Sequence, residues 1–312
     1  MSDAHANSTA ERAPADRRES DDPAAVARTS VIIPAFNEAE SIGDVVAGLL
    51  ALYPGLPVIV VDDGSEDGTA RLAEEAGATV LRHGRNMGYG ASLKTGIRAA
   101  ETDYVVTFDA DGQHDPADVA RLVARLAEND MVVGRRVNRS GVPLSRWPGK
   151  WIMARFARIL TGARIPDVNS GLRGFRRTVI RQYLHLLPSR FSFSTTSTFL
   201  MLKTNRPIAY IDIHARPRTG TSTVRQFRDG GRALLLMLRM IVLFEPLKVF
   251  GAASLIAALG AVAFAVHSLF FADGGISDST VLLGVASLLL FMSGLICDQV
   301  AALRRELHEV ER

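Results

Sequence analysis

Two apolar runs near the C-terminus restrict this chain more than any other feature. Residues 247–271 carry no charge beyond Lys248 at their start, and residues 281–296 carry none at all. The first is long enough to cross a hydrocarbon core of about 30 Å, and the second reaches that length with interfacial flanks. Backbone groups in lipid must be hydrogen-bonded within their own segment, so both runs are expected as helices. A hydrophobic fraction of 47% and a mean hydropathy of +0.13 are high for a chain of 312 residues kept wholly in water. A buried helix of a soluble protein would also be apolar. Two runs joined by the short polar link 272–280 fit a hairpin across a bilayer better.

Charge sets the orientation. The link holds Asp273 and Asp278 but no Lys or Arg, whereas Arg225, Arg228, Arg232, Arg239 and Lys248 precede or open the first run and Arg304 and Arg305 follow the second. Basic residues stay on the cytoplasmic side, so both ends of the hairpin and the preceding body are expected there, in a multi-pass protein of the cell membrane. The expected domains are a disordered tail over 1–28, a folded body over 29–222, an amphipathic juxtamembrane helix over 223–245, a hairpin over 246–300 and a cytoplasmic tail over 301–312. In the juxtamembrane helix Leu234, Leu235, Leu238 and Ile241 oppose Arg232 and Arg239, which suits anionic headgroups. The N-terminal tail has too few large apolar residues to offset its ordering entropy, and it lacks the apolar core of a secretory signal. A net charge of +3 gives no ground for a nucleic-acid partner. The single Cys297 excludes an intrachain disulfide, and no Cys/His cluster has zinc spacing.

From Thr29 onward, short apolar runs alternate with amphipathic segments. Strands are expected at 30–33 (stopping at Pro34), 57–61, 78–81, 104–108, 131–133 and 208–213. Helices are expected at 39–52, 69–76, 90–100, 116–129, 151–160 and 178–187. Strands separated by helices of this length imply a mostly parallel α/β sheet, and ligands of such sheets sit beyond the carboxyl ends of the strands.

The chemically loaded residues fall at those ends. Asp109 and Asp111 follow the strand 104–108 at i, i+2, the spacing that puts two side chains on one face of an extended chain. Gly112 then lets the backbone turn away. Two hard oxygen ligands there, with Gln113 as a third, suit Mg²⁺ or Mn²⁺. A solvated turn is the plainer reading of Asp-x-Asp alone. His114 is assigned to the turn or to a place behind the ligands, because hard cations prefer oxygen. The loop Pro34-Ala35-Phe36-Asn37-Glu38 can meet a ribose and a base, and Asp62-Asp63-Gly64-Ser65 offers carboxylates to a base N–H. An N-cap by Ser65, Asp67 or Thr69 is the plainer reading there. Asn86-Met87-Gly88-Tyr89-Gly90 with Lys94 opens a helix like a phosphate cradle, without Walker spacing.

Taken together, the runs VIIPAFNE, VDDGSEDGT, NMGYGASLKTG, FDADGQHDP and DVNSGLRGF resemble the inverting family 2 glycosyltransferases of the GT-A fold. The resemblance covers roughly 29–222 and is closest to the polyprenyl-phosphate glycosyltransferases, among them dolichyl-phosphate mannose synthase and the bactoprenol glucosyltransferases. It implies that Pro34, Phe36, Glu38, Lys94 and Asp62 or Asp63 hold a nucleotide-sugar, and that Asp109, Asp111 and Gln113 form the metal and diphosphate site. It further implies that Arg136 and Arg146 meet the acceptor phosphate. Asp167, Asn169, Ser170 and Arg173 would line the sugar and acceptor side. Arg218 and Ser222 match the start of a late Arg-x-Gly-x-Ser-Lys loop, whose final Lys is Thr223 here, with Arg225 as a substitute.

The implied reaction moves a sugar from a nucleotide-sugar such as UDP-glucose or GDP-mannose to a polyprenyl phosphate at the bilayer, with a homo-oligomer packed through the membrane part left open. Such an acceptor is already an anionic nucleophile and needs alignment more than a base. The alternative, transfer to a hydroxyl in cell-surface polysaccharide synthesis, would need a base, for which Asp167 is the candidate. A processive polysaccharide synthase is disfavoured because Arg146-Trp147 lacks the preceding Gln and one hairpin cannot form a polymer channel. A non-catalytic scaffold is disfavoured by retention of both Asp109 and Asp111.

Overall fold

A computed structural model describes residues 23–137, 166–167, 170–190, 192–215, 246–271 and 277–310. The chain divides into two compact units. One holds residues 1–137, 170–185 and 207–218, and the other holds 138–169, 186–206 and 219–312.

In the first unit the alternation of apolar runs becomes one seven-stranded sheet. The strands are β1 (Thr29–Ala35), β2 (Val58–Asp62), β3 (Thr79–Arg82), β4 (Tyr104–Thr107), β5 (Met131–Arg136), β6 (Arg173–Arg176) and β7 (Ile208–Ile213). Their spatial order is β3-β2-β1-β4-β6-β5-β7. Every neighbouring pair is parallel except those involving β6, which runs antiparallel to both β4 and β5. The reversal matters. β1, β2, β4 and β5 all end at one edge of the sheet, and β6 begins there, so the chain just before Arg173 meets the loops that leave the other four strands.

Among the described residues the helices before β6 are α1 (Pro23–Ala27), α2 (Ile42–Leu52), α3 (Thr69–Glu75), α4 (Tyr89–Ala99) and α5 (Asp118–Leu126), and α6 (Arg177–Tyr183) follows it. α2 buries Ile42, Val45, Val46 and Leu49, and α5 buries Val119, Leu122, Val123 and Leu126. Both sets repeat at i, i+3, i+4, i+7, one face of a helix laid on the sheet. The central strands β1, β2 and β4 are buried throughout, as expected for strands covered on both faces.

Several boundaries differ from expectation. β1 runs through Pro34 to Ala35 instead of stopping before the proline. The carbonyl of Ile32 accepts from Phe108 N, so Ile32 and Pro34 both face β4. The register with β4 has already ended at Ile32↔Thr107, so no ladder bond is lost where proline lacks its N–H. α1 occupies part of the segment expected as tail, with Val26 buried and Thr29 Oγ1 donating to the Ala25 carbonyl at 2.9 Å. β6 was not expected at all. Its four residues, Arg-Gly-Phe-Arg, have no strand-like alternation and become a strand only by pairing on both sides. β7 lies where the pattern placed it.

The second unit contains α7 (Phe193–Lys203) and two long C-terminal helices, α8 (Pro246–Phe271) and α9 (Asp278–Val310). α9 continues past residue 300 into the expected tail. The segments 246–270 and 278–303 have a mean hydropathy of 2.3 each, with 6% of each apolar stretch buried. A core helix of that composition would be mostly covered. These two are long and apolar enough to cross a membrane. Where they pack, Ser254 Oγ donates to the Ser287 carbonyl and Ser287 Oγ to the Ser254 carbonyl, both at 2.9 Å. The expected helix at 151–160 and juxtamembrane helix at 223–245 lie outside the described residues.

Candidate active site

The loops leaving β1 and β2 are stapled to each other. Asn37, with φ of 54°, donates its N–H to Ser65 Oγ at 2.9 Å and accepts from Glu66 N at 3.0 Å. Glu38 N donates to Thr69 Oγ1 at 2.9 Å, and Ala39 N to Asp67 Oδ2 at 3.2 Å. The polar side chains expected to cap α3 therefore reach across to the first loop, and the cap position itself is Gly68. Burial pushes the Asp67 carboxyl up, but the hydrogen bonds from Thr69 and Ala39 outweigh it and hold it below the ordinary value. Phe36 stands out of this staple at 44% exposure, a free aromatic face at the edge of the sheet. Pro34 is buried inside β1 and acts as its support.

Asp62 and Asp63 are both buried, and the chain itself uses them. Asp62 Oδ1 accepts from Ser65 N at 3.1 Å. Asp63 Oδ1 accepts from Met87 N at 2.9 Å and contacts His83 Nδ1 at 2.7 Å, while Oδ2 accepts from Gly88 N at 2.7 Å. His83 Nε2 lies 3.0 Å from Thr95 Oγ1 on α4. The glycine-containing loop ahead of α4 thus resembles an anion cradle because it is one, and the anion is Asp63. Lys94, a turn further along α4, is half-buried, and burial followed by the charge of Arg98 lowers its pKa.

Tyr89, the first residue of α4, donates its hydroxyl to Asp109 Oδ1 at 3.0 Å. The other oxygen, Oδ2, lies 3.1 Å from His114 Nε2. Burial raises the Asp109 carboxyl, yet the His114 ring, the Tyr89 hydroxyl and the Arg136 guanidinium together outweigh it and hold it below the ordinary range. Asp111 Oδ1 accepts from Gln113 N at 3.2 Å, and Gly112 supplies the expected turn with φ of 71°.

Arg136 ends β5. Its neighbour Arg135 turns the other way to a two-pronged pair with Asp212 on β7, at 2.5 and 2.9 Å. Alternation along the strand then leaves Arg136 on the side where its charge reaches Asp109. Opposite, Gly171 lies against the Asp109 carboxylate, and its carbonyl accepts from Thr107 Oγ1 at 2.6 Å.

Asp109, Asp111, Gln113 and Arg136 therefore share one edge of the sheet with Phe36, Glu38, Asp62 and Asp63. Ser170 is there too, fully buried. Arg173 is assigned differently from its expected contact with the acceptor. It has 0% exposure, and its Nε donates to the Ser170 carbonyl at 2.7 Å, so it holds the Ser170–Gly171 turn. Asp167 is buried and belongs to the second unit. Arg146, Asn169, Arg218, Ser222, Thr223 and Arg225 lie outside the described residues. Tyr89, His83 and Gly171 were missed as site residues. The spacing of Tyr89 within the glycine loop was their one visible signal.

Mg²⁺ and Mn²⁺ are commonly held by one or two carboxylates, with substrate phosphates and waters completing the shell. Asp109, Asp111 and Gln113 within one turn fit that demand. Among the described residues no group of three His, Cys, Asp or Glu side chains could hold a metal. The donor set among the described residues leaves the rest of such a shell to waters or phosphate oxygens.

Comparison with known proteins places the chain in a family. A profile described as Glycosyl transferase family 2 matches residues 30–184, and one described as GtrB C-terminal hairpin matches residues 245–303. An undecaprenyl-phosphate mannosyltransferase of Micrococcus luteus is 31% identical over 200 residues, 60% of this chain and 82% of that one. An undecaprenyl-phosphate 4-deoxy-4-formamido-L-arabinose transferase of Pseudomonas fluorescens is 33% identical over 195 residues, 59% of this chain and 57% of that protein, so the chain spans little more than half of it. A glucosyl-3-phosphoglycerate synthase from Mycobacterium tuberculosis, solved with Mn²⁺, uridine diphosphate and phosphoglyceric acid, superposes with a TM-score of 0.56 at 21% identity, over 68% of this chain and 77% of that one. At that identity the likeness carries the GT-A fold alone.

Proposed function

The chain belongs to glycosyl transferase family 2, and we propose that it transfers a sugar from a nucleotide-sugar to a polyprenyl phosphate, with inversion, at the cytoplasmic face of a membrane. The observation that carries this reading is that Asp109, just after β4, and Arg136, at the end of β5, lie at the one sheet edge where β1 and β2 also end.

Two polyanions have to meet for this reaction. A guanidinium that binds a phosphate through two parallel N–H groups offsets their repulsion and fixes the angle of approach. Arg136 is assigned that task, with Arg146, Arg218 and Ser222 as further acceptor contacts. Phe36 covers the base with its exposed ring, Glu38 and Asp62 meet the ribose and base, and Lys94 lies on the donor side. Asp63 serves the donor indirectly by folding the loop before α4. A divalent cation at Asp109, Asp111 and Gln113 would neutralise the charge that develops on the leaving diphosphate. Because a lipid phosphate is already a nucleophile, no residue has to remove a proton from it, and alignment by the arginines suffices. α8 and α9 keep the body where such an acceptor resides. Lys and Arg flank the hairpin on the side away from its acidic link, which supports a cytoplasmic body.

The test incubates membranes containing the protein with labelled UDP-glucose or GDP-mannose and undecaprenyl phosphate, with and without EDTA. Label is expected in the lipid phase from one donor, abolished by EDTA and by Asp111→Ala, and Arg136→Ala is expected to raise the acceptor concentration needed. Full transfer without any divalent ion, or transfer only to hydroxyl acceptors, overturns the reading.

A further inference from the structure

The Asp109 carboxylate is approached from two sides by side chains for which metal binding and substrate contact give no account. His114 is 5% exposed, in the turn after Gly112. Its ring meets Phe108 edge-on, with centroids 5.5 Å apart and planes at 73°. Nε2 lies 3.1 Å from Asp109 Oδ2, and Nδ1 is buried with no hydrogen-bond partner among the described residues. A proton on Nδ1 would be a buried donor without an acceptor, so the neutral ring that fits carries its proton on Nε2 and donates it to Asp109. Among the described residues that is the ring's one hydrogen bond. If packing against Phe108 were its purpose, an apolar ring would serve without leaving a buried nitrogen unsatisfied.

The other side is Tyr89. Its hydroxyl is 3.0 Å from Oδ1, and its backbone follows directly on Gly88, whose N–H is held by Asp63. Among the described residues each carboxylate oxygen thus has one acceptor position filled by the protein.

We propose that His114 and Tyr89 are positioning residues that clamp Asp109 in the orientation needed to receive a metal–nucleotide diphosphate, an inference that rests on the glycosyl-transfer reading. The clamp fixes the carboxylate before the ligand arrives, so binding does not have to order it. Partners of this kind, behind a ligating group, commonly contribute a factor of about 10–100 in metal affinity.

The full-length chain in detergent is titrated with Mn²⁺ in the presence of UDP or GDP, following free Mn²⁺ by electron paramagnetic resonance and folding by thermal melting without ligand. His114→Phe keeps the ring and removes both nitrogens. It is expected to melt near the wild-type temperature and bind the Mn²⁺–nucleotide about tenfold or more weakly. His114→Gln, whose amide nitrogen can take the place of Nε2, is expected to recover most of that loss. Tyr89→Phe removes only the hydroxyl and is expected to weaken binding in the same direction, which keeps the test decisive should His114→Phe fail to fold. Wild-type affinity in both His114→Phe and Tyr89→Phe overturns the clamp alone. A His114→Gln variant as weak as His114→Phe overturns the hydrogen bond as its cause. A wild-type chain that binds neither Mn²⁺–UDP nor Mn²⁺–GDP overturns the transferase reading and the clamp with it.

Discussion

A methyl group placed on Gly171 would sit 2.1 Å from Oδ2 of Asp109 and 2.6 Å from both its Cγ and Oδ1. The Asp side chain is too short to swing clear of that contact while staying bonded to Tyr89 and His114. Gly171→Ala is therefore expected to keep the fold and displace the carboxylate. A shift of about 1 Å in such a group costs on the order of a hundredfold in turnover. Sugar transfer to lipid phosphate, measured beside a thermal melt, checks this. Turnover within twofold of wild type would show that Asp109 does not need its present position.

Asp63 is expected to act through the loop it folds. Asp63→Asn keeps the shape but replaces the charged acceptor of Met87 N, Gly88 N and His83 by an amide with one acceptor oxygen. Leaving a buried donor without its acceptor costs about 1–3 kcal/mol. The variant should melt lower and lose donor affinity, because Tyr89 would no longer be held against Asp109. Thr95→Val, which removes the far contact of His83, should do the same more weakly. Donor affinity unchanged in a destabilised Asp63→Asn chain would separate the loop from the site.

The parts of this architecture that follow from local pattern were legible in the sequence, and those made by pairing at a distance were not. The strand 208–213 and the carboxylates after β4 could be read because alternation and a following glycine are local signals. β6 could not, since Arg-Gly-Phe-Arg becomes a strand only between β4 and β5. The same reversal brings Gly171 to Asp109, so this close approach was invisible in advance. Arg173 has a local partner that no motif shows. An arginine beside a turn invites a phosphate, yet here its guanidinium is enclosed and holds the Ser170 carbonyl. Asp63 presents both faces of the problem, because a motif that offers a carboxylate to a ligand gives no sign that a loop some 24 residues later already uses it.

The pair between Arg135 and Asp212 predicts an acid-side effect on stability. The hydrogen bond from Arg135 is the main cause that holds the Asp212 carboxyl below its ordinary value near 3.8. A carboxyl depressed in the folded state contributes stability above its unfolded value and loses that contribution as the pH falls through the folded one. Both side chains are nearly half exposed, at 43% and 44%, so solvent screening limits the effect to about 1 kcal/mol or less. Asp212→Asn should melt slightly lower than wild type at neutral pH, and the difference should shrink and then vanish as the pH falls below the ordinary carboxyl value of 3.8 and through the depressed folded one. A constant difference across that range would mean that packing, not charge, is what the substitution disturbs.

The hairpin makes a prediction of its own through Ser254 and Ser287, which exchange hydroxyl-to-carbonyl bonds at 2.9 Å in both directions, with their oxygens 3.1 Å apart. In lipid no water competes for these groups, but a serine hydroxyl that loses its partner can turn back to a carbonyl of its own helix. That fallback keeps such couplings modest, near 0.6 kcal/mol on average and about 1.7 at most. Ser254→Ala and Ser287→Ala should each destabilise the hairpin slightly. The double variant should cost less than the two singles combined, because the second substitution removes a group whose partner is already gone. Unfolding in mixed micelles, run as a double-mutant cycle, measures the coupling directly. Strict additivity would mean that α8 and α9 are held by apolar packing and that the serine pair merely sits between them.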